Sequence, residues 1–138
     1  MAARVRLDRA ALDRLLRQPG GPVHDHVTAL TRRTETRAKL NIRVRTGTTR
    51  ASITSSVRTR GTLVIGRVWT PSKVGWWLHE GTGIYGPRGR PIRPVRAQFL
   101  RFEVGGRIVY ARQVRGMPGD QWLVRALRQT VPYPVVER

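Results

Sequence analysis

The sequence predicts an α+β fold: N-terminal helices, a largely antiparallel β-sheet with a long Gly/Pro/Arg-rich loop, and a C-terminal helix, in a single domain over residues 1–138. Three observations carry this. Apolar residues recur at helical spacing only towards the two ends of the chain. The middle alternates apolar with polar residues around glycine-centred reversals, and strands and helices do not alternate as a parallel sheet would require.

Leu7, Ala11 and Leu15 fall on one helical face beside Leu12 and Leu16, and Pro19-Gly-Gly-Pro22 ends that pattern abruptly. Val23, Val27, Leu30 and Ala38 continue at helical spacing, so a second helix is expected to about Leu40, although threonines at 28, 31, 34 and 36 lower its intrinsic propensity. Residues 1–40 thus form a helical N-terminal part. The period then changes to two: Ile42, Val44 and, past Thr46-Gly47, Ala51, Ile53, Ser55 and Val57 read as half-buried strand. Leu63–Trp69 reads as its partner across a turn near Arg60-Gly61.

Val74-Gly-Trp-Trp-Leu-His-Glu80 fits a strand or a short helix. Gly81–Pro94 holds four glycines and three prolines and is expected to be irregular, within a loop running over 81–98. Phe99–Val104 and Arg107–Arg112 flank Gly105-Gly106, a two-residue hairpin turn of the kind that needs positive φ at both positions. Asp120 is placed to cap a last helix from Gln121 to about Thr130, whose Trp122, Leu123, Ala126 and Leu127 share a face. Pro132 and Pro134 make residues 131–138 an extended tail.

Charge is the outlying property. The chain carries 27 Lys+Arg against 8 Asp+Glu, a formal net charge of +19, with an apolar fraction of 39%. The excess is spread along the whole chain rather than gathered in one arm, so it acts as a whole-body field that attracts polyanions or acidic proteins and opposes self-association. All but Lys39 and Lys73 of the basic residues are Arg, whose planar fork binds carboxylate or phosphate through two hydrogen bonds. The absence of Cys excludes a disulfide framework, a thiolate metal site and a cysteine nucleophile. No apolar run approaches the length of a membrane span, and the N-terminus lacks the apolar stretch of a signal peptide, so neither membrane contact nor secretion is expected.

Motifs of catalysis are missing. His24-Asp-His26 places two imidazoles at i and i+2, which point apart on a helix, and no third ligand is near. Gly81-Thr-Gly83 with Gly86 lacks the flanking strand and helix of a phosphate-binding loop. His79-Glu80 could form an acid/base pair, but a carboxylate after an aromatic run more often anchors a loop or an Arg. With no nucleophile elbow, zinc-binding helix motif or Walker lysine, no enzymatic activity, catalytic residue, metal or cofactor is expected. Among the aromatic residues, Trp69 and Trp122 fall within apolar patterns and read as core. On a strand, Trp76-Trp77 would turn one ring away from the core, and an exposed ring beside abundant Arg suits a protein interface.

Three stretches match a recurring series of motifs. Thr46-Gly-Thr-Thr-Arg-Ala-Ser-Ile53 is similar to a Thr-Gly-x-Leu-x-x-Ser-Ile segment, with Thr49 where Leu is usual. Trp77-Leu-His-Glu-Gly-Thr82, then Ile92-Arg-Pro94 and Leu100-Arg-Phe102, is similar to an aromatic-x-x-Glu-Gly-Thr, Ile-x-Pro and Leu-x-Phe series. Val114–Leu123 with Ala126-Leu127 is similar to a Val-x-Gly ending with a terminal Phe/Trp-Leu-x-x-Ala-Leu. Together the three stretches resemble the neck and minor-tail (head-tail connector) family of long-tailed bacteriophages.

The resemblance implies a structural virion component at the head-tail junction, present in the host cytoplasm during assembly. It further implies a homo-oligomeric ring, six- or twelve-fold, around the DNA channel, joining the head-side connector to the tail. Such a ring needs two different patches on each subunit. The loop 81–98, free of acidic residues, is the candidate docking arm, mobile until it orders on a partner. Trp76, Trp77, Glu80, Tyr85, Arg88, Arg90, Arg93, Arg96 and Tyr133 are the expected contacts with other copies or adjoining layers. Arg88, Arg90 and Arg93 are the candidates for contact with the backbone of genomic DNA, indifferent to sequence. The alternative from another class is a small basic protein that binds nucleic acid without sequence preference.

Overall fold

The computed structural model describes residues 5–137. Five helices, α1 (Arg9–Arg17), α2 (Pro22–Asn41), α3 (Thr48–Ala51), α4 (Lys73–Glu80) and α5 (Trp122–Thr130), accompany four strands, β1 (Thr54–Arg60), β2 (Leu63–Trp69), β3 (Leu100–Val104) and β4 (Arg107–Ala111). The fold is α+β as expected, but the antiparallel pairing is divided into two separate two-stranded hairpins, β1-β2 and β3-β4. Every strand therefore keeps one open edge.

The N-terminal part has the two expected helices, but α1 begins after Leu7 and buries none of its residues, leaving Leu15 and Leu16 exposed. Asp8 caps α1 by accepting from the Ala10 and Ala11 backbone N–H groups, and Pro22 sits at the first turn of α2, where its missing N–H costs nothing. The threonines of α2 are accommodated in one way. Thr28, Thr31, Thr34 and Thr36 each donate to the carbonyl four residues back, so the hydroxyls are satisfied within the helix even where Thr31 and Thr34 are buried. Thr34 also meets Thr130 of α5 at 2.6 Å, a polar link between the two packed helices.

Residues 42–53 depart from the expected strand. Ile42 caps α2, Gly47 adopts φ +81, and the short α3 turns the chain before β1 begins at Thr54. The alternation was a property of two anchors: Ile42 and Ile53 are both buried, but as the ends of a turn-rich connection, not as alternate positions of one strand. Val74–Glu80 resolves as helix, with Ser72 accepting from the Gly75 N–H.

The core is small. Among the described residues Ala38, Ile42, Ile53, Trp122 and Ala126 are the buried apolar side chains, with Val68, Leu78 and Leu123 packed against them. Trp122 is its centre: 1% exposed, it donates its indole N–H to the Gly75 carbonyl at 3.0 Å and meets the His79 ring edge-to-face at 6.0 Å. Asp120 is not the cap of α5. Gln121 holds that position at φ +43. The backbone N–H groups of Asp120 and Gln121 are instead committed to the Leu78 and His79 carbonyls at the end of α4, and the Asp120 carboxylate accepts from Arg125 at 2.6 Å. Among the described residues, no helix is long and apolar enough to cross a membrane.

Beneath α2, Glu35 receives hydrogen bonds from Lys39 and from Ser55 of β1, which together hold its carboxyl below the ordinary value of 4.5. A depressed native pKa adds stability that is complete above the unfolded value and is lost as pH falls through the native one. The variant Glu35→Gln is therefore expected to be less stable than the parent at neutral pH and to converge with it as the solution is acidified below about pH 4.5. Urea unfolding midpoints at neutral and acid pH measure the convergence. Trp122→Ala removes the centre of the core and is expected to cost about 3–5 kcal/mol, read from the same midpoints.

Candidate interaction surface

Segments 79–86 and 114–121 cross in direct backbone contact, and this crossing sets the geometry of the surface. Thr82 N–H donates to the Met117 carbonyl and Ile84 N–H to the Arg115 carbonyl, both at 2.8 Å, while Ile92 and Val114 exchange a pair of bonds at 2.8 and 2.9 Å. The Thr82 hydroxyl accepts from the Met117 N–H. Side chains are excluded where the strands of chain meet. A Cβ on Gly83 would lie 2.0 Å from the Arg115 carbonyl oxygen, and one on Gly116 2.1 Å from that of Thr82; both glycines also have positive φ. Gly81-Thr-Gly83 is thus a backbone-packing device. The start of the 81–98 loop is stapled to the body, with a 3₁₀ turn at Gly83–Tyr85, which differs from a wholly irregular arm.

Parts of the stretches singled out in the sequence meet around Trp122, whereas Leu100-Arg-Phe102 lies in β3, away from it. Thr49 and Ser52 of the first meet Ser72 and Thr70 by side-chain hydrogen bonds, Ile53 packs into the core, and the second and third make the crossing just described.

Outward from this framework stand the residues expected to make contacts. Because 73–80 is helical, Lys73, Trp76, Trp77 and Glu80 share one face of α4, and both indoles are exposed, Trp76 at 53% and Trp77 at 45%. A strand would have exposed one. Glu80 is exposed and accepts from His79 Nδ1 at 3.1 Å. Tyr85 is exposed on the 3₁₀ turn, and so are Arg88, Arg90, Arg93 and Arg96 on the loop beyond it; of these four, Arg93 bonds the Gln113 amide, and none has an ion-pair partner among the described residues. Tyr133 is not part of this group. The tail lays it against α2, its hydroxyl 3.0 Å from His26 Nε2, and Glu137 pairs with Arg128. The His24-Asp-His26 imidazoles have separate partners, and no group of three His, Asp or Glu with metal-binding geometry occurs among the described residues.

Two further surfaces escaped the sequence reading. The β3-β4 hairpin projects, packing by more than marginal contact on no other helix or strand, and leaves Val104, Ile108 and Tyr110 largely exposed. Its signal was present: Ile108-Val-Tyr110 is apolar at three successive positions, which puts apolar side chains on both faces of a strand. The other surface is an open groove of about 520 Å³ between α2, β2 and α5, walled by Val27, Leu30, Val68, Leu123, Val124 and Leu127, with Tyr133 at its rim. A second groove on α2 is lined by Arg32, Arg33 and Arg37 with no carboxylate.

The chain exposes 11389 Å² of accessible surface for 15.7 kDa, against roughly 7,300 Å² for a globular monomer of that mass. The difference, roughly 4,000 Å², is several times the roughly 800 Å² that each partner contributes to a standard interface. Comparison with known protein families, curated proteins and solved structures finds no match.

Gly83→Ala is expected to destabilise by at least about 2 kcal/mol, from left-handed strain together with the displaced Arg115 carbonyl. The exposed Gly89, with open space at its Cβ, serves as the reference: Gly89→Ala carries the backbone strain alone. Thermal melts of the two variants separate strain from contact.

Proposed function

We propose that this protein is a structural subunit of the head-tail junction of a long-tailed bacteriophage, assembling with copies of itself into a ring and joining the head-side connector to the tail without catalysing a reaction. The observation that carries the reading is the surface left over: a chain of this mass with five buried apolar side chains among the described residues, a projecting hairpin with exposed apolar side chains and two exposed indoles on one face of α4 is built to be completed by neighbours. The resemblance of the Thr46–Ile53, Trp77–Phe102 and Val114–Leu127 stretches to neck and minor-tail proteins supplies the setting.

Within that setting the parts divide naturally. Trp76, Trp77 and Tyr85 offer amphipathic anchors of the kind enriched at protein interfaces. Arg88, Arg90, Arg93 and Arg96 offer unpaired guanidinium groups to acidic faces of adjoining layers or to DNA phosphates in the channel, where backbone contact lets the genome slide. A second reading, sequence-independent nucleic-acid binding by a free protein, draws on the carboxylate-free groove of Arg32, Arg33 and Arg37. The two differ in where the protein is found.

Mass spectrometry of purified particles is expected to detect the chain at the junction in multiple copies, and its absence from mature particles would overturn the reading. Replacing Arg88, Arg90, Arg93 and Arg96 together by Ser is expected to leave the circular dichroism spectrum unchanged, since all four side chains are exposed. The same variant is expected to lower the yield of joined heads and tails at least tenfold; an undiminished yield would remove the loop from the mechanism.

A further inference from the structure

We infer that the β3-β4 hairpin of one copy seats in the apolar groove between α2, β2 and α5 of the next, so that this pair of surfaces is the head-to-tail contact of the ring; the inference rests on the proposed ring and names its interface.

The hairpin cannot be explained as a free element. A two-stranded hairpin is marginal in water without a surface to pack on, and this one exposes Ile108 and Tyr110 at 53% and 63% on the face they share with Arg101 and Glu103, with Val104, 58% exposed, on the other face. The groove offers an apolar seat, lined by Val27 and Leu30 of α2, Leu123 and Leu127 of α5 and Val68 of β2. It is open to solvent, and the tail lines part of it with Val131 and with Tyr133, which bonds His26. Arm and groove lie on different parts of one chain, which is what a contact that repeats by rotation requires.

A complementary charge pair points to a second copy as the occupant. Two bodies of +19 repel, so a contact between copies needs apolar burial and locally opposite charges to offset that repulsion. Over residues 100–111 the hairpin carries two arginines and one glutamate, and the groove walls carry a single guanidinium, Arg67, with no carboxylate. Glu103, the sole acid between Glu80 and Asp120, has no partner among the described residues of its own chain, and Arg67 at the groove is the charge it would meet.

The chain contains no cysteine, so engineered pairs report without background. The double variant Ile108→Cys with Leu127→Cys, oxidised in dilute solution, is expected to give a ladder of covalent multimers ending at a discrete top band, with yield rising as salt increases from about 0.1 to about 0.5 M because screening relieves repulsion. Either single variant is expected to stop at dimer. In the parent background, Ile108→Glu with Tyr110→Glu, both at exposed positions, is expected to retain the circular dichroism spectrum and sediment as a monomer. Rings visible by electron microscopy without a ladder overturn this contact and leave the proposed ring standing. A monomer under all of these conditions also overturns it, as does association that weakens with salt, which would point to a charge-driven partner. Absence of the chain from particles bears on the proposed function alone.

Discussion

The indole of Trp122 is the point from which the rest of the chain is positioned. Its N–H is committed to the Gly75 carbonyl, which fixes α4 against α5, and its ring packs with Ile42, Ile53 and Ala38, which ties the end of α2 and the start of β1 to the same centre. A donor buried this deeply must be paired, because an unmet indole N–H would cost about 1–3 kcal/mol. That requirement dictates where α4 can sit, and with it the face that carries Trp76 and Trp77. The exposed aromatic pair is therefore a consequence of the buried one. Neither would hold its place if the backbone crossing at Gly83 and Gly116 were not close enough to bring residues 114–121 over the end of α4.

Much of this was legible from residue pattern. Gly105-Gly106 between two apolar runs could only be a tight reversal, and both residues have the positive φ that such a turn demands. The helical faces of α2 and α5 followed from spacing, whereas α1 forms but leaves Leu15 and Leu16 exposed. What failed were places where distant contact, not local period, decides structure. Ile42 and Ile53 have the spacing of strand positions but are buried with Trp122, a residue far from both in sequence. Asp120 has the chemistry of a cap, yet its backbone was already engaged by α4 and its carboxylate by Arg125. The loop after Glu80 looked unconstrained because glycine and proline report only that no helix or strand can form; they are silent on whether another segment passes within touching distance.

The candidate surface was legible in part. Exposed tryptophans beside arginines could be read from composition and order, and they share a face because 73–80 is helical. Tyr133 belongs elsewhere, because the tail folds back onto α2 through His26. The hairpin's lack of a resting place could not be read, since whether a strand is covered depends on what the remainder of the chain does. Within this fold the division of labour is clear: a compact centre formed by few residues, and around it elements whose apolar faces are offered outward among arginines that discourage casual contact.

Those arginines carry a second burden that follows from having only two strands in each sheet. Each strand has a single strand neighbour, so one of its edges is a standing hazard for pairing with another chain. Arg58, Arg60, Arg67, Arg101 and Arg107, exposed on these strands, oppose such pairing by mutual repulsion. Such protection is conditional on the surrounding medium: polyphosphate or heparin, by neutralising the guanidinium groups, would lift it and invite fibrillar precipitates, so the colloidal behaviour of this protein is set by which anions accompany it.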